Sequence, residues 1–231
     1  MSLEFLSSSA YWAIVISLAS YILGDFLRKR LKVAVFNPIL VSVILTSVFL
    51  LLTGTEYSQY RAGASFLSWL LTPATICLAI PLYEQLSVLK SNRLAILVGI
   101  LSGVVTSFLC VLSLAMLFGL GHAEYVTLIP KSITTAIGME LSEANGGYGS
   151  ITAVLIILSG IVGNVASPFI LRTLRITDPV ARGVAIGTSS HAIGTAKALE
   201  MGPVEGAVSS LSIVVAGVLT VVEVLIVRNL I

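Results

Sequence analysis

Long apolar stretches alternate with short polar stretches along the whole chain. A helix that crosses a membrane needs about 20 mostly apolar residues. Six stretches meet this requirement, at residues 11–27, 33–52, 64–84, 94–120, 150–171 and 206–227. The pattern therefore predicts six membrane-spanning helices, and no strand-like alternation of apolar and polar residues interrupts them.

Two further stretches are apolar in part but carry polar residues and glycines at membrane depth. Residues 127–149 contain Lys131 and two glutamates, and residues 183–201 contain several Gly, Ser and Thr residues around His191. Irregular backbone persists at that depth only where it is buried in protein or lines a cavity. We therefore predict that both stretches are broken or re-entrant helices.

Composition places the chain in lipid. Hydrophobic residues make up 57% of the 231 residues and charged residues only 10%, whereas a soluble domain carries about 25% charged residues. We therefore expect an all-α, polytopic transmembrane helical bundle that forms one integral membrane domain over residues 1–231. The first apolar stretch has no basic leader, so we interpret it as a retained span and not as a cleaved signal peptide.

A weak internal similarity suggests a repeat. The sequence LTPATI at residues 71–76 resembles IPKSIT at residues 129–134, and both place a proline beside hydroxyl residues. Proline-interrupted segments at matching positions of two halves are typical of transporter substrate sites. This favours inverted halves at about 30–120 and 125–231, and chance similarity between proline-containing helices is the alternative.

The positions of lysine and arginine constrain the topology, because short cytoplasmic loops carry an excess of them. Three basic clusters occur, at residues 28–32, 90–93 and 172–182. If the N-terminus lies outside, all three clusters lie inside only when residues 127–149 form a re-entrant hairpin. The alternative is a full crossing, which would place the third cluster outside.

Residues 130–138 combine the features of an anion site. Pro130 fits the first turn of a half-helix, which leaves backbone N–H groups and the positive end of the helix dipole free. An ammonium and several hydroxyl donors follow at Lys131, Ser132, Thr134 and Thr135. The pattern predicts carboxylate binding. The alternative is a lysine that snorkels to the interface, with threonines bonded to helix carbonyls.

Residues 187–197 suit a helix that is broken near the membrane midplane. Ser189 or Ser190 could cap the second half-helix, and His191 could contact a carboxylate or carry a proton. Gly194 and Thr195 complete the candidate residues of this segment. The alternative is tight helix packing through small residues.

Other polar residues in or beside the spans are further candidates. Asn37 and Asn164 join the predicted substrate-binding residues, and Glu84 and Glu205 join His191 as candidates for proton coupling. The two cysteines, Cys77 and Cys110, lie in apolar stretches and are interpreted as buried small hydrophobic residues. No nucleotide-binding, metal-ligand or acid–base pattern occurs, so we expect no metal, no cofactor and no enzymatic activity.

Five motifs resemble the LrgB/CidB family. They are NPIL at 37–40, PLYEQL at 81–86, PKSITTAIG at 130–138, SHAIGTAKA at 190–198 and EGAVSSL at 205–211. They occur in the family's order, and the resemblance extends over about residues 11–230. The family often has a proline where this chain has Ala136. A helix can therefore continue through Ala136, which favours a full crossing of residues 127–149.

The resemblance implies two functions. Bacterial members are described as holin-like or antiholin-like proteins that act with a smaller membrane partner of the LrgA/CidA type and influence murein hydrolase activity and cell lysis. Plastid relatives export glycolate and import glycerate, and some bacterial relatives are linked to pyruvate transport. The anion-site pattern favours binding of one small carboxylate over a holin-type membrane hole large enough for proteins or ions. Our hypothesis is therefore a transporter or facilitator of small monocarboxylates linked to autolysis control. The alternative is a holin- or antiholin-like regulator.

The same reasoning gives an expected location and expected partners. We expect a multi-pass protein of the bacterial cytoplasmic membrane that contacts the lipid bilayer and binds no nucleic acid. The glycine-rich spans favour a homodimer.

Overall fold

The computed structural model describes residues 11–31 and 37–231, and these residues form helices and no β-strand. They belong to two compact units, Met1–Cys77 and Leu78–Ile231. The predicted all-α class is confirmed. The predicted start of the second span at residue 33, Lys32 of the first basic cluster and the segment before residue 11 lie outside the described residues.

Within residues 11–31 and 37–77, the first unit contains four helices. They are α1 (Trp12–Leu31), α2 (Pro38–Thr53), α3 (Tyr57–Gly63) and α4 (Ser65–Cys77). Helix α1 runs past its predicted end at residue 27, because three basic residues form its last turn, where they interact favourably with the helix dipole. Helices α1 and α2 approach closely at Gly24, where a Cβ would lie 2.9 Å from the Pro38 Cα.

The second unit contains the remaining helices. They are α5 (Ala79–Glu84), α6 (Leu86–Ser91), α7 (Arg93–Phe118), α8 (His122–Leu128), α9 (Thr135–Ala144), α10 (Gly149–Thr173), α11 (Pro179–Met201) and α12 (Pro203–Val227), with a 3-10 turn at Ile129–Ser132 between α8 and α9. Helices α7, α10 and α12 correspond to the fourth, fifth and sixth predicted spans.

Four helical runs among the described residues are long and apolar enough to cross a membrane. They are α7, α10, α12 and the run Ser65–Glu84, which includes α4 and α5. Helix α2 is apolar but has only 16 residues. Helix α1 has 20 residues, and the charges in its last two turns keep it out of this group. The predicted span at 64–84 is therefore present, with an interruption at Leu78.

Helices α8 and α9 form a re-entrant hairpin, which we call hairpin 1 (residues 122–145). The arms have 7 and 10 residues, which at 1.5 Å per residue is about 10 and 15 Å, too short to cross a hydrocarbon core of about 30 Å. The two ends meet, because His122 Nε2 lies 3.0 Å from the carbonyl oxygen of Asn145. The structure thus adopts the re-entrant alternative. The expectation that Ala136 favours a full crossing is wrong, because the break lies earlier, at Ile133 and Thr134.

Helix α11 reverses direction at His191, and we call it hairpin 2 (residues 179–201). His191 has φ 39° and ψ −140°, which turns the chain back. Arg182 Nη1 in the first arm lies 3.7 Å from Glu205 Oε1, just beyond the second arm. A straight helix would separate residues 182 and 201 by about 28 Å. Both ends of hairpin 2 therefore lie on the same side of the bundle.

The two hairpins enter the second unit from opposite sides. The side where α7 and hairpin 2 begin carries Lys90, Arg93, Arg172 and Arg182, and we call it the basic side. The side with His122 and Asn145 is called the far side. Arg228, which follows α12, donates from Nη1 to Asn145 Oδ1 at 3.0 Å, so α12 crosses from the basic side to the far side.

An inverted repeat follows from these directions. Hairpin 1 is followed by α10, which runs from the far side to the basic side, and hairpin 2 is followed by α12, which runs the opposite way. Each copy thus consists of one hairpin and one span. The predicted halves at 30–120 and 125–231 are longer than these copies and stay a prediction.

Two apolar clusters hold the hairpins against α7 and α12. Near the basic side, Ile96 and Ile100 of α7 pack with Val180 and Val184 of hairpin 2 and with Val208 of α12. Near the far side, α7 and α12 pack against hairpin 1 through a second cluster of buried residues, Val111, Ala115, Tyr125, Val126, Ile129 and Val224. Close van der Waals packing of these side chains stabilises the unit, because lipid provides no hydrophobic driving force between helices.

The two hairpins predict from which side of the membrane cysteines at their ends can be labelled. We expect Glu124→Cys and Ala144→Cys to react with a membrane-impermeant maleimide from one side, and Thr177→Cys and Glu200→Cys from the other. Cys77→Ser and Cys110→Ser remove the native thiols from the background. If positions 177 and 200 label from opposite sides, α11 crosses the membrane and hairpin 2 does not exist.

Candidate anion site at the two hairpin tips

One turn of α10 holds the tips of both hairpins. Ser159 Oγ donates to the carbonyl oxygen of Lys131 in the tip of hairpin 1 at 2.6 Å. His191 Nε2, at the tip of hairpin 2, donates to the carbonyl oxygen of Ile156 at 2.8 Å. A carbonyl oxygen can only accept, so Nε2 carries the ring proton in this contact. Residues 156–159 span a single helical turn, so the two tips lie side by side.

Small residues on α10 allow hairpin 2 to approach this closely. A Cβ on Gly160 would lie 2.7 Å from His191 Cε1, and Gly163 faces the Ser190 side chain. Asn164, one residue on, donates from Nδ2 to the carbonyl oxygen of Ile193 at 2.7 Å. The side chain of Asn164 therefore satisfies a backbone carbonyl just beyond the break.

The Lys131 side chain is half-buried at the tip of hairpin 1. Its ammonium donates to Ser107 Oγ of α7 at 2.8 Å and to Ser132 Oγ at 3.1 Å. An ammonium has three N–H donors. Two hydroxyls thus accept from Lys131, and it forms no ion pair with a carboxylate of residues 11–31 or 37–231. One donor remains for an anion.

The half-helix that follows Lys131 begins at Thr135. The prediction that this half-helix begins at Pro130 is wrong. Pro130 lies in the 3-10 turn with φ −81° and ψ 19°, and Ile133 and Thr134 are extended. Because Ile133 and Thr134 are extended, the next helix starts only after them. Thr134 is the N-cap of α9 and makes no side-chain capping bond, so the first-turn amides of α9 point towards the tip uncapped.

The predicted residues of hairpin 2 mostly bond within the protein. Thr195 Oγ1 donates to the carbonyl oxygen of His191 at 3.0 Å and pairs with Ser209 Oγ of α12 at 2.7 Å. The Ser190 hydroxyl pairs with Ser189 Oγ at 2.9 Å. Gly194 packs against the Ser190 side chain. These contacts give the segment a structural role. The segment lies near the tip of hairpin 1 because α10 bonds both His191 and the Lys131 carbonyl.

The prediction that Ser189 or Ser190 caps the second arm is wrong. Ser189 Oγ donates back to the carbonyl oxygen of Ala185 at 2.7 Å. A serine within a helix commonly bonds the carbonyl four residues earlier, and the first arm of hairpin 2 continues up to Ser190.

Two other candidates of the second unit lie away from the tips. Glu84 is exposed at the end of α5. Glu205 is buried in the first turn of α12 and is paired with Arg182. Within the second unit, the structure therefore brings together residues 130–135, 164 and 189–195. Asn37 belongs to the first unit, where it is the N-cap of α2 and its Oδ1 accepts from the backbone N of Ile39 at 2.9 Å.

Sequence reasoning missed several residues of the site. Glu223 of α12 interacts electrostatically with Lys131, and a lone carboxylate inside an apolar span was a signal that could have found it. Ser107 and Ser159 bond the tip of hairpin 1, but nothing distinguishes them in sequence from other serines in spans.

The two cysteines differ from their prediction as well. Both Cys77 and Cys110 are free and exposed in the single chain. The prediction of buried thiols is wrong, because a residue within an apolar stretch of a membrane protein need not face the interior of the helical bundle.

Comparison with known proteins gives consistent results over nearly the whole chain. Residues 17–230 match the LrgB-like family. The Antiholin-like protein LrgB of Bacillus subtilis (strain 168) is 38% identical over 214 residues, which cover 92% of this chain and 93% of the relative. The proteins of the same name from Bacillus cereus (strain B4264) and Bacillus anthracis (strain CDC 684 / NRRL 3495) are each 38% identical over 213 residues, with the same coverage. No solved structure matches the chain.

The close approach of His191 to α10 gives a stability prediction. We expect Gly160→Ala to lower the midpoint of thermal unfolding in detergent, because the added Cβ displaces the His191 ring at a cost of about 1–3 kcal/mol. Gly217→Ala is the matched control, since no atom lies within 4 Å of its Cβ position. Both changes gain the same helix propensity. Equal midpoints for the two variants would contradict the packing described for the tip.

Proposed function

The chain belongs to the LrgB-like family, and on this premise we propose that it acts as an antiholin-like regulator whose molecular activity is the passage of small monocarboxylates across the membrane. The regulator is the alternative reached in the sequence analysis, and the relatives' names favour it over transport alone. We also propose the bacterial cell membrane as its location and a small membrane protein of the LrgA/CidA type as its partner.

The observation that carries the carboxylate activity is the environment of Lys131. A charged side chain at membrane depth is costly unless it is paired or wet. Two hydroxyls hold the Lys131 ammonium, and the uncapped start of α9 follows four residues later in the chain. An anion that bound there would gain a charge-assisted hydrogen bond and the positive end of the helix dipole.

The hydroxyl groups near Lys131 favour a small 2-oxo or 2-hydroxy acid. Ser132, Thr134 and Thr135 lie within four residues of Lys131 and are half-buried, so their hydroxyls are within reach of a 2-oxo or 2-hydroxy group on a bound carboxylate. Pyruvate, lactate and glycolate have this chemistry.

Close packing at the tips favours a regulator over a protein that itself forms a large hole. Ser190 is fully buried against α10, and Thr195 and Ser209 are fully buried between hairpin 2 and α12. A lumen for macromolecules would need these elements to separate. The passage of small acids, with an effect on lysis that follows from it, requires no such separation.

A flux measurement tests the carboxylate activity. In liposomes that contain the purified protein, we expect uptake of labelled pyruvate, lactate or glycolate above that of empty liposomes. Lys131→Met should weaken the apparent affinity about tenfold to a hundredfold, because a hydrogen bond to a charged group contributes about 1.5–3 kcal/mol. Lys29→Met is the matched control, since Lys29 is exposed and pairs with Asp25. Equal flux with and without protein for every acid would contradict the carboxylate activity.

A leakage measurement tests whether the protein forms a pore for large solutes. Dyes of graded mass should stay inside liposomes that pass the small acids. Release of dyes larger than a monocarboxylate would show a holin-like pore and would rule out the regulator proposed here.

A further inference from the structure

A cavity of about 420 Å³ lies between α7 and the first arm of hairpin 2. Small residues line most of it, namely Ala95, Gly99 and Ser102 from α7, with Ala181, Ala185 and Thr188 from hairpin 2. It begins at Asn92 and Asp178 on the basic side. Ten helical residues separate Asp178 from Thr188, which is about 15 Å, or half of a hydrocarbon core.

A stripe of small and polar residues continues the cavity along α7. Ser102, Thr106 and Cys110 recur every four residues and therefore share one helix face. All three are exposed in a helix that is otherwise rich in Leu, Val and Ile. Ser107, which adjoins Thr106 and lies about one turn before Cys110, accepts a hydrogen bond from the Lys131 ammonium. The inner end of the stripe is therefore at Lys131.

Gly103 of α7 and Thr188 of hairpin 2 meet at the inner end of the cavity lining. A Cβ on Gly103 would lie 3.0 Å from Thr188 Oγ1. The Thr188 hydroxyl donates back to the carbonyl oxygen of Val184 at 2.7 Å, so its methyl group and oxygen fill the space against α7. One helical turn beyond this contact is Ser107.

The charges at the mouth of the cavity suit an anion. Arg93 lies on the basic side next to the cavity-lining residue Asn92, and positive charge at the mouth of a cleft raises the local concentration of anions. Arg182 adjoins the lining residue Ala181, and its charge is paired with Glu205. Asp178 also lines the mouth, but its Oδ1 accepts from the backbone N of Ala181 at 2.8 Å. That carboxylate is thus engaged as the N-cap of hairpin 2.

We propose that this cavity and the α7 stripe form the water-filled path by which a small carboxylate moves between the basic side and Lys131, with the Gly103–Thr188 contact as its constriction. The proposal rests on the carboxylate activity proposed above and adds its route. A groove filled by lipid is the competing explanation, since part of the lining is apolar.

Cysteine labelling distinguishes water from lipid in the groove. In the Cys77→Ser, Cys110→Ser background, we expect Ser102→Cys and Ala185→Cys to react with a positively charged methanethiosulfonate added on the basic side. Leu101→Cys is the matched control, because it is exposed at the same depth but lies outside the cavity lining. It should react at least about tenfold more slowly, because the reactive thiolate forms in water and not in lipid.

The native Cys110 reports on the inner end of the path. In a Cys77→Ser protein, saturating pyruvate should slow the labelling of Cys110, because the acid occupies the neighbouring ammonium. Labelled Ala185→Cys should lose most of its pyruvate flux, and labelled Leu101→Cys should keep it.

The outcomes separate the route from the activity. If wild-type protein passes pyruvate but positions 102 and 185 react as slowly as position 101, the route is overturned and the proposed function stands. If the groove labels but no carboxylate crosses in wild-type vesicles, the proposed function fails and the groove is not a carboxylate path. Flux that persists after Ala185→Cys has been labelled would also overturn the route.

Discussion

A helix that breaks inside a membrane frees backbone groups that lipid cannot satisfy. In this protein one turn of α10 satisfies such a group at one break and binds the side chain at the other. Ile156 supplies its carbonyl oxygen to His191, and Ser159 supplies its hydroxyl to the carbonyl oxygen of Lys131. Neither hairpin tip can be removed from α10 without leaving unpaired polar groups at membrane depth. The two hairpins are therefore coupled through a helix that belongs to neither of them.

This coupling gives a physical basis for carboxylate passage. The inverted copies bring their tips to the same depth, and the contact there depends on a few hydrogen bonds and on the lack of side chains at Gly160 and Gly163. Lys131 sits next to this contact, so an anion that binds the ammonium also acts on the tip of hairpin 1. A change in either hairpin would thus reach the other through residues 156–160. The far-side and basic-side ends of the hairpins are held separately, by His122 and by Arg182.

Much of this arrangement could be predicted from sequence, because polar residues in apolar stretches are costly and conspicuous. The positions of both breaks follow from Lys131, Pro130 and the Gly- and Ser-rich segment at His191. The reversal at His191 could not be predicted, since a positive φ is rare for a residue other than glycine. The bond to Ile156 and the packing on Gly160 hold His191 in that conformation, and both contacts come from a distant part of the chain. The start of α9 at Thr135 also depends on tertiary contacts, because Pro130 alone suits a helix start.

The central claim is that Lys131 binds a carboxylate at the paired tips, and a distance measurement tests it most directly. Solid-state NMR on protein in liposomes can measure the dipolar coupling between ¹⁵Nζ of Lys131 and the ¹³C-labelled carboxyl carbon of pyruvate, with the lysine signal assigned by its loss in Lys131→Arg. The coupling should correspond to a direct ammonium–carboxylate hydrogen bond. A Lys131 signal that shows no coupling at saturating pyruvate, in vesicles that pass pyruvate, would contradict the account.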